Sequence, residues 1–98
     1  MGRISKRTRI ELSPQAQRDW KRLSKKIGKD GKDKLKKAIE AIAENPLSGK
    51  PLQENLSGYR GFRFAGHYRI VYEMLEDKKG KFASICAIDD RKNIYKRL

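Results

Sequence analysis

The chain has 98 residues and a single cysteine, Cys86, which gives room for one domain with one modest core (residues 1–98) and none for an internal disulfide. Its 25 Lys or Arg against 12 Asp or Glu leave a net charge of +13, well beyond what solubility requires, and point to a polyanionic partner: nucleic acid, an acidic protein, or both. No stretch approaches the ~20 apolar residues of a membrane span. The opening MGRISKRTRIELS has no apolar leader, so a reducing, cytoplasmic setting with no membrane is expected.

Residues 1–8 are basic and are expected to be a flexible N-terminus. Arg9-Ile10-Glu11-Leu12 alternates polar and apolar, the pattern of a short strand. Ser13-Pro14 starts a helix, with Ser as N-cap and Pro at the first helical position. Ala16, Trp20, Leu23 and Ile27 then form one apolar stripe, and Gly28 behind Lys25-Lys26 closes it. A second helix is expected to start between Asp30 and Asp33, carry Leu35, Ala38, Ile39 and Ile42, and stop at Asn45-Pro46. The connector Gly28-Lys29-Asp30-Gly31 predicts an antiparallel helical hairpin. Ten Lys or Arg and three Asp between Arg18 and Lys37 make its outer face basic, either as a solvated face or as a nucleic-acid contact.

Residues 46–58 have loop composition. Strands follow at Tyr59–Phe64, His67–Leu75 and Phe82–Ile88, separated by Ala65-Gly66 and by the polar turn Glu76–Gly80, with a polar tail from Asp89. The fold class is α+β, in the order β-α-α-β-β-β: a three-strand antiparallel meander plus one N-terminal strand, with both helices on one sheet face.

Much chemistry is missing. One His and one Cys without a spaced carboxylate set predict no metal site, no phosphate-cradling glycine loop is present, and no cofactor is expected. What stands out is arginine on strands: Arg60, Arg63, Arg69 and, further on, Arg91, interleaved with Tyr59, Tyr68, Tyr72 and Tyr95. A guanidinium is a rigid fork that matches a phosphate. Alternation puts His67, Arg69, Val71 and Glu73 on one face and Tyr68, Ile70, Tyr72 and Met74 on the other, toward the helices. Arg69 then either grips an anion or pairs with Glu73 or a tail aspartate.

The element order, the segment GHYRIVYE (66–73) and the closing AIDDRKNIY (87–95) resemble the RelE/ParE superfamily of toxins from type II toxin–antitoxin systems. The matching residues are Tyr59-Arg60, Gly66, Tyr68-Arg69-Ile70-Val71-Tyr72, and Arg91 four residues before Tyr95. The resemblance spans Ile10 to Tyr95. It implies one of two activities. RelE-like members are ribosome-dependent endoribonucleases, mRNA interferases that inhibit translation; ParE-like members poison DNA gyrase. A non-toxic RNA-binding module is a third reading.

In the RelE-like reading, which the arginines favour, the resemblance implies that Arg69 holds the scissile phosphate and that Arg91 stabilises charge or the leaving group. Tyr95 would stack on a base or take the 2′-hydroxyl proton, with His67 as the alternative proton acceptor. Arg60 or Arg63 would match a further basic position. RNA supplies its own nucleophile, so the enzyme must orient it in line, take its proton and stabilise a dianionic phosphorane, and arginines can do the last of these without metal. The partners implied are the ribosome with its rRNA, mRNA, and a cognate acidic antitoxin that folds on binding into a hetero-oligomer.

Overall fold

The computed structural model describes residues 7–96; most of the basic segment expected to be flexible lies outside the described residues. Arg7 and Thr8 are held, Thr8 by a 2.7 Å hydrogen bond from its N–H to the Ala43 carbonyl. The elements are β1 (Arg9–Leu12), α1 (Pro14–Lys26), α2 (Gly28–Glu44), β2 (Lys50–Pro51), β3 (Tyr59–Phe64), β4 (Tyr68–Asp77), β5 (Gly80–Asp90) and α3 (Arg91–Ile94). They build one five-stranded sheet in the order β1-β5-β4-β3-β2. β3, β4 and β5 form the expected antiparallel meander, and β1 joins β5 in parallel.

Helix α1 starts as its sequence dictates: the Ser13 hydroxyl accepts the Ala16 N–H at 3.1 Å and Pro14 occupies the first turn. The expected Gly-Lys-Asp-Gly connector is absent. Gly28 takes φ +72°, which breaks the chain direction in one step, and α2 begins there with Ile27 as the only residue between the helices. The reason is packing: Gly31 is buried in the first turn of α2, where a Cβ would lie 2.6 Å from the Ile27 side chain.

The main core lies between the helices and one sheet face. Ala16, Leu23, Leu35, Ala38 and Ile42 meet Phe64, Ile70, Tyr72, Ala83, Ile85 and Ile88. The alternation along β4 holds, with Ile70 and Tyr72 toward the helices. The other face is only partly open. Val71 and Ala87 pack there with Ile94, Leu52 and Tyr59. The tail is therefore not simply polar. β5 continues to Asp90, whose carboxylate caps α3 by accepting the Asn93 N–H at 2.9 Å, and buried Ile94 pins that turn to the sheet.

Residues 46–58 also hold more structure than a loop. Lys50–Pro51 adds a short edge strand on β3, and Glu54–Leu56 forms one 3₁₀ turn. The buried Tyr72 hydroxyl fixes the entrance, donating to the Pro46 carbonyl at 2.7 Å and accepting the Gly49 N–H at 3.0 Å. Tyr72→Phe removes both bonds and strands a buried amide. It is expected to lower stability by about 1–3 kcal/mol; urea unfolding checks this, and an unchanged midpoint would refute the anchoring role.

Candidate active site

Arg60 and Arg63 are three residues apart on β3, so they face opposite ways. Arg60 is spent on structure: its Nη1 donates to the carbonyls of Gly49 at 2.7 Å and Leu47 at 3.3 Å, beside the Tyr72 anchor. Arg63 is exposed and sits directly across the ladder from Arg69. Between them they supply two guanidinium groups from neighbouring strands.

Arg63 and Arg69 line a hollow of about 440 Å³ together with Ser48, Lys50, Leu52 and Tyr95. Tyr95 is brought here by α3 and is 39% exposed. Its hydroxyl overhangs Gly61: a Cβ on Gly61 would stand 3.4 Å from the Tyr95 Oη and 3.5 Å from Leu52 Cδ2. A glycine inside a strand marks such close approach. Half-buried Arg69 donates to the Tyr68 carbonyl at 3.1 Å, and among the described residues it has no carboxylate partner. Neither Glu73 nor Asp90 forms an ion pair with it, and Asp89, its neighbour across the ladder, is bridged to Arg22 instead. The hollow thus gathers Lys50, Arg63 and Arg69 around a phenol, with no acid among its lining residues. Such a set has the chemistry to hold an anionic group and to stabilise added negative charge on it.

His67 and Arg91 lie elsewhere. Together with Asp90 and Lys92 they line a separate hollow of about 370 Å³, one step further along the β4–β5 ladder. The His67 ring rests on Tyr68, centroids 4.4 Å apart. Of the six candidate residues, then, Arg63, Arg69 and Tyr95 share one hollow, His67 and Arg91 share another, and Arg60 braces a loop. Lys50, Ser48 and Leu52 complete the first hollow from a segment whose composition signals only a loop; the interior glycine of YRGFRF was the legible clue. A third hollow, at the far end of β4 between Leu47 and Leu75, is mainly apolar and brings no convergent chemistry. Among the described residues no group of three or more His, Cys, Asp or Glu comes together as a metal site, and no helix is long and apolar enough to cross a membrane.

Further along the same sheet face, Glu73 stands across from Tyr59 and beside Cys86. Its charge pushes the Tyr59 phenol up, with smaller contributions from Cys86 and burial. Burial, then the Glu73 charge and a 3.7 Å contact with its carboxylate, push the Cys86 thiol up to about 11. At pH 8 the thiol is therefore protonated, and reaction with a thiol reagent is expected to be far slower in the native chain than in denaturant. Glu73→Gln removes the anion, lowers the thiol's pKa and speeds the native reaction. Equal native and unfolded rates would contradict this environment.

Residues 10–95 match the profile of the ParE toxin of the type II toxin–antitoxin system parDE. No curated protein matches the sequence. Solved structures do. The RelBE2 toxin–antitoxin complex from Mycobacterium tuberculosis is 27% identical, with TM-score 0.67 over 87% of this chain and 99% of that one. YafQ from E. coli is 26% identical, with TM-score 0.69 over 90% of this chain and 98% of its own. The YoeB–YefM complex from Staphylococcus aureus is 28% identical, with TM-score 0.64 over 85% of this chain and 95% of the matched one. The profile match over nearly the whole chain and the shared architecture make this protein a member of the ParE toxin family of type II toxin–antitoxin systems, and so of the RelE/ParE superfamily.

Proposed function

We propose that this toxin is a metal-independent endoribonuclease that acts in the cytoplasm on mRNA held by the ribosome. The observation that carries the reading is Arg69, half-buried and in no ion pair among the described residues, beside Arg63 in a hollow that has no acid in its lining and is overhung by the Tyr95 hydroxyl. The substrate's 2′-hydroxyl attacks its own phosphate, giving a 2′,3′-cyclic phosphate and a free 5′-hydroxyl. Arg69 and Arg63 hold the phosphoryl oxygens as charge builds on them. Tyr95 orients the 2′-hydroxyl and takes its proton, or stacks on the adjoining base; as the P–O5′ bond breaks, solvent water supplies the proton to the departing 5′-oxygen. Exposed Lys21, Lys25, Lys26, Lys29, Lys36 and Lys37 give the helices a basic outer face for rRNA.

The partner is a cognate acidic antitoxin that covers this positive surface; two of the similar structures are themselves toxin–antitoxin complexes. The matched profile, that of a parDE toxin, favours a second reading: inhibition of DNA gyrase without nuclease activity. Cell-free translation and gyrase supercoiling, run in parallel with the purified toxin, separate the two. Arrest of translation with supercoiling untouched is expected. Inhibited supercoiling with normal translation would assign the gyrase reading instead.

A further inference from the structure

Arg91 is expected by resemblance beside Arg69, yet it lines the second hollow with His67, Asp90 and Lys92. The two hollows are consecutive along one ladder. Arg69 pairs with Asp89 and Tyr68 with Asp90, and the Arg91 N–H donates to the His67 carbonyl at 2.8 Å. His67 is the turn residue before β4 and Arg69 the second residue of that strand, so the two are at most ~7 Å apart along the chain, a step that one extended nucleotide spans.

The second hollow has the composition of an anion site. Its one acid, Asp90, is turned back into α3, with Oδ1 accepting the Asn93 N–H at 2.9 Å and Oδ2 the Asn93 Nδ2 at 3.3 Å. Arg91 and Lys92 are exposed, and among the described residues neither has an ion-pair partner. Exposed His67, backed by the Tyr68 ring, adds a flat surface on which a base stacks.

We propose that His67, Arg91 and Lys92 form a flanking-nucleotide subsite, binding the phosphodiester next to the one held at Arg69 and stacking its base on His67. Arg91 is then a binding residue, not a catalytic one. The inference rests on the Arg69 hollow taking single-stranded RNA, as proposed above.

The test uses uncleavable 2′-O-methyl oligonucleotides, a dinucleotide with one phosphodiester and a trinucleotide with two, titrated onto the full chain at fixed salt. The native chain is expected to prefer the trinucleotide by about tenfold, one charge-assisted contact. Arg91→Ala combined with Lys92→Ala should erase that preference and leave dinucleotide affinity within about twofold. Arg69→Ala should weaken both ligands. Equal weakening of both ligands by the Arg91/Lys92 pair would put Arg91 in the Arg69 hollow and overturn the subsite. No change in either ligand, or no native preference, would overturn it too. The charge-preserving pair Arg91→Lys and Lys92→Arg should keep the preference, which separates charge from folding. Cleavage is not read here, so a toxin that shows this pattern yet leaves ribosome-bound mRNA intact loses the nuclease reading and keeps the subsite.

Discussion

Arg69→Ala is expected to lower ribosome-dependent mRNA cleavage by about 100- to 1000-fold, the loss typical when one donor to a developing oxyanion is removed. Stability should change little, because the Arg69 side chain makes one hydrogen bond, to the Tyr68 carbonyl, and no ion pair among the described residues. Arg69→Lys restores charge but not the fork, and should recover only part of the rate. Arg60→Ala makes the control: Arg60 is tied to the Leu47 and Gly49 carbonyls on the opposite side of β3, so its loss should appear in stability before activity. Tyr95→Phe keeps the ring over Gly61 and removes the hydroxyl alone. A large loss of kcat in that variant assigns proton transfer or orientation to the hydroxyl; an unchanged rate leaves Tyr95 with stacking. Full activity in Arg69→Ala would remove the hollow from the mechanism.

Asp19→Ala is expected to be the most destabilising of the substitutions considered, by about 3 kcal/mol, or a melting temperature lowered by roughly 10–20 °C for a domain of this size. Asp19 is 1% exposed on the apolar face of α1. Its Oδ2 accepts the Ile88 N–H at 3.0 Å, its Oδ1 accepts Gln15 Nε2 at 3.0 Å, and Arg22 bridges it to buried Asp89 at 3.3 Å on each side. Here β5 has run past the end of β1, whose pairing stops at Ile85, so the helix carboxylate does for Ile88 what a neighbouring strand would otherwise do. Removing it leaves a buried amide unpaired and Arg22 with one anion fewer. Arg22 is half exposed, 48%, and water replaces it in part, so Arg22→Ala should cost less. Thermal unfolding ranks the two, and a smaller effect for Asp19→Ala would contradict this ordering.

These two residues also show where the sequence speaks and where it does not. Arg69 was legible because strand alternation has a period of two, and Ile70 and Tyr72 had to face the helices. That it forms no ion pair among the described residues was not legible, since Glu73 lies on the same face and only coordinates show it engaged with Cys86. Asp19 carried a signal: three residues after Ala16 and four before Leu23, it interrupts an apolar stripe. The stripe itself, with Ser13-Pro14 ahead of it, made α1 unambiguous. The joint between α1 and α2 was misplaced because two glycines three positions apart suggest a loop, whereas Gly28 turns the chain and Gly31 lets the helix pass close to Ile27. Lys50 and α3 depended on long-range contacts, β2 on β3 and Ile94 on Val71 and Ala87, which no local pattern encodes.

The central claim is that the Arg63–Arg69–Tyr95 hollow cuts RNA. It is tested most directly by incubating the toxin with programmed ribosomes and mapping 5′ ends on the message. New ends within the A-site codon, carrying 5′-hydroxyls and absent with Arg69→Ala, are the predicted result. An intact message on ribosomes to which the toxin is demonstrably bound would contradict it.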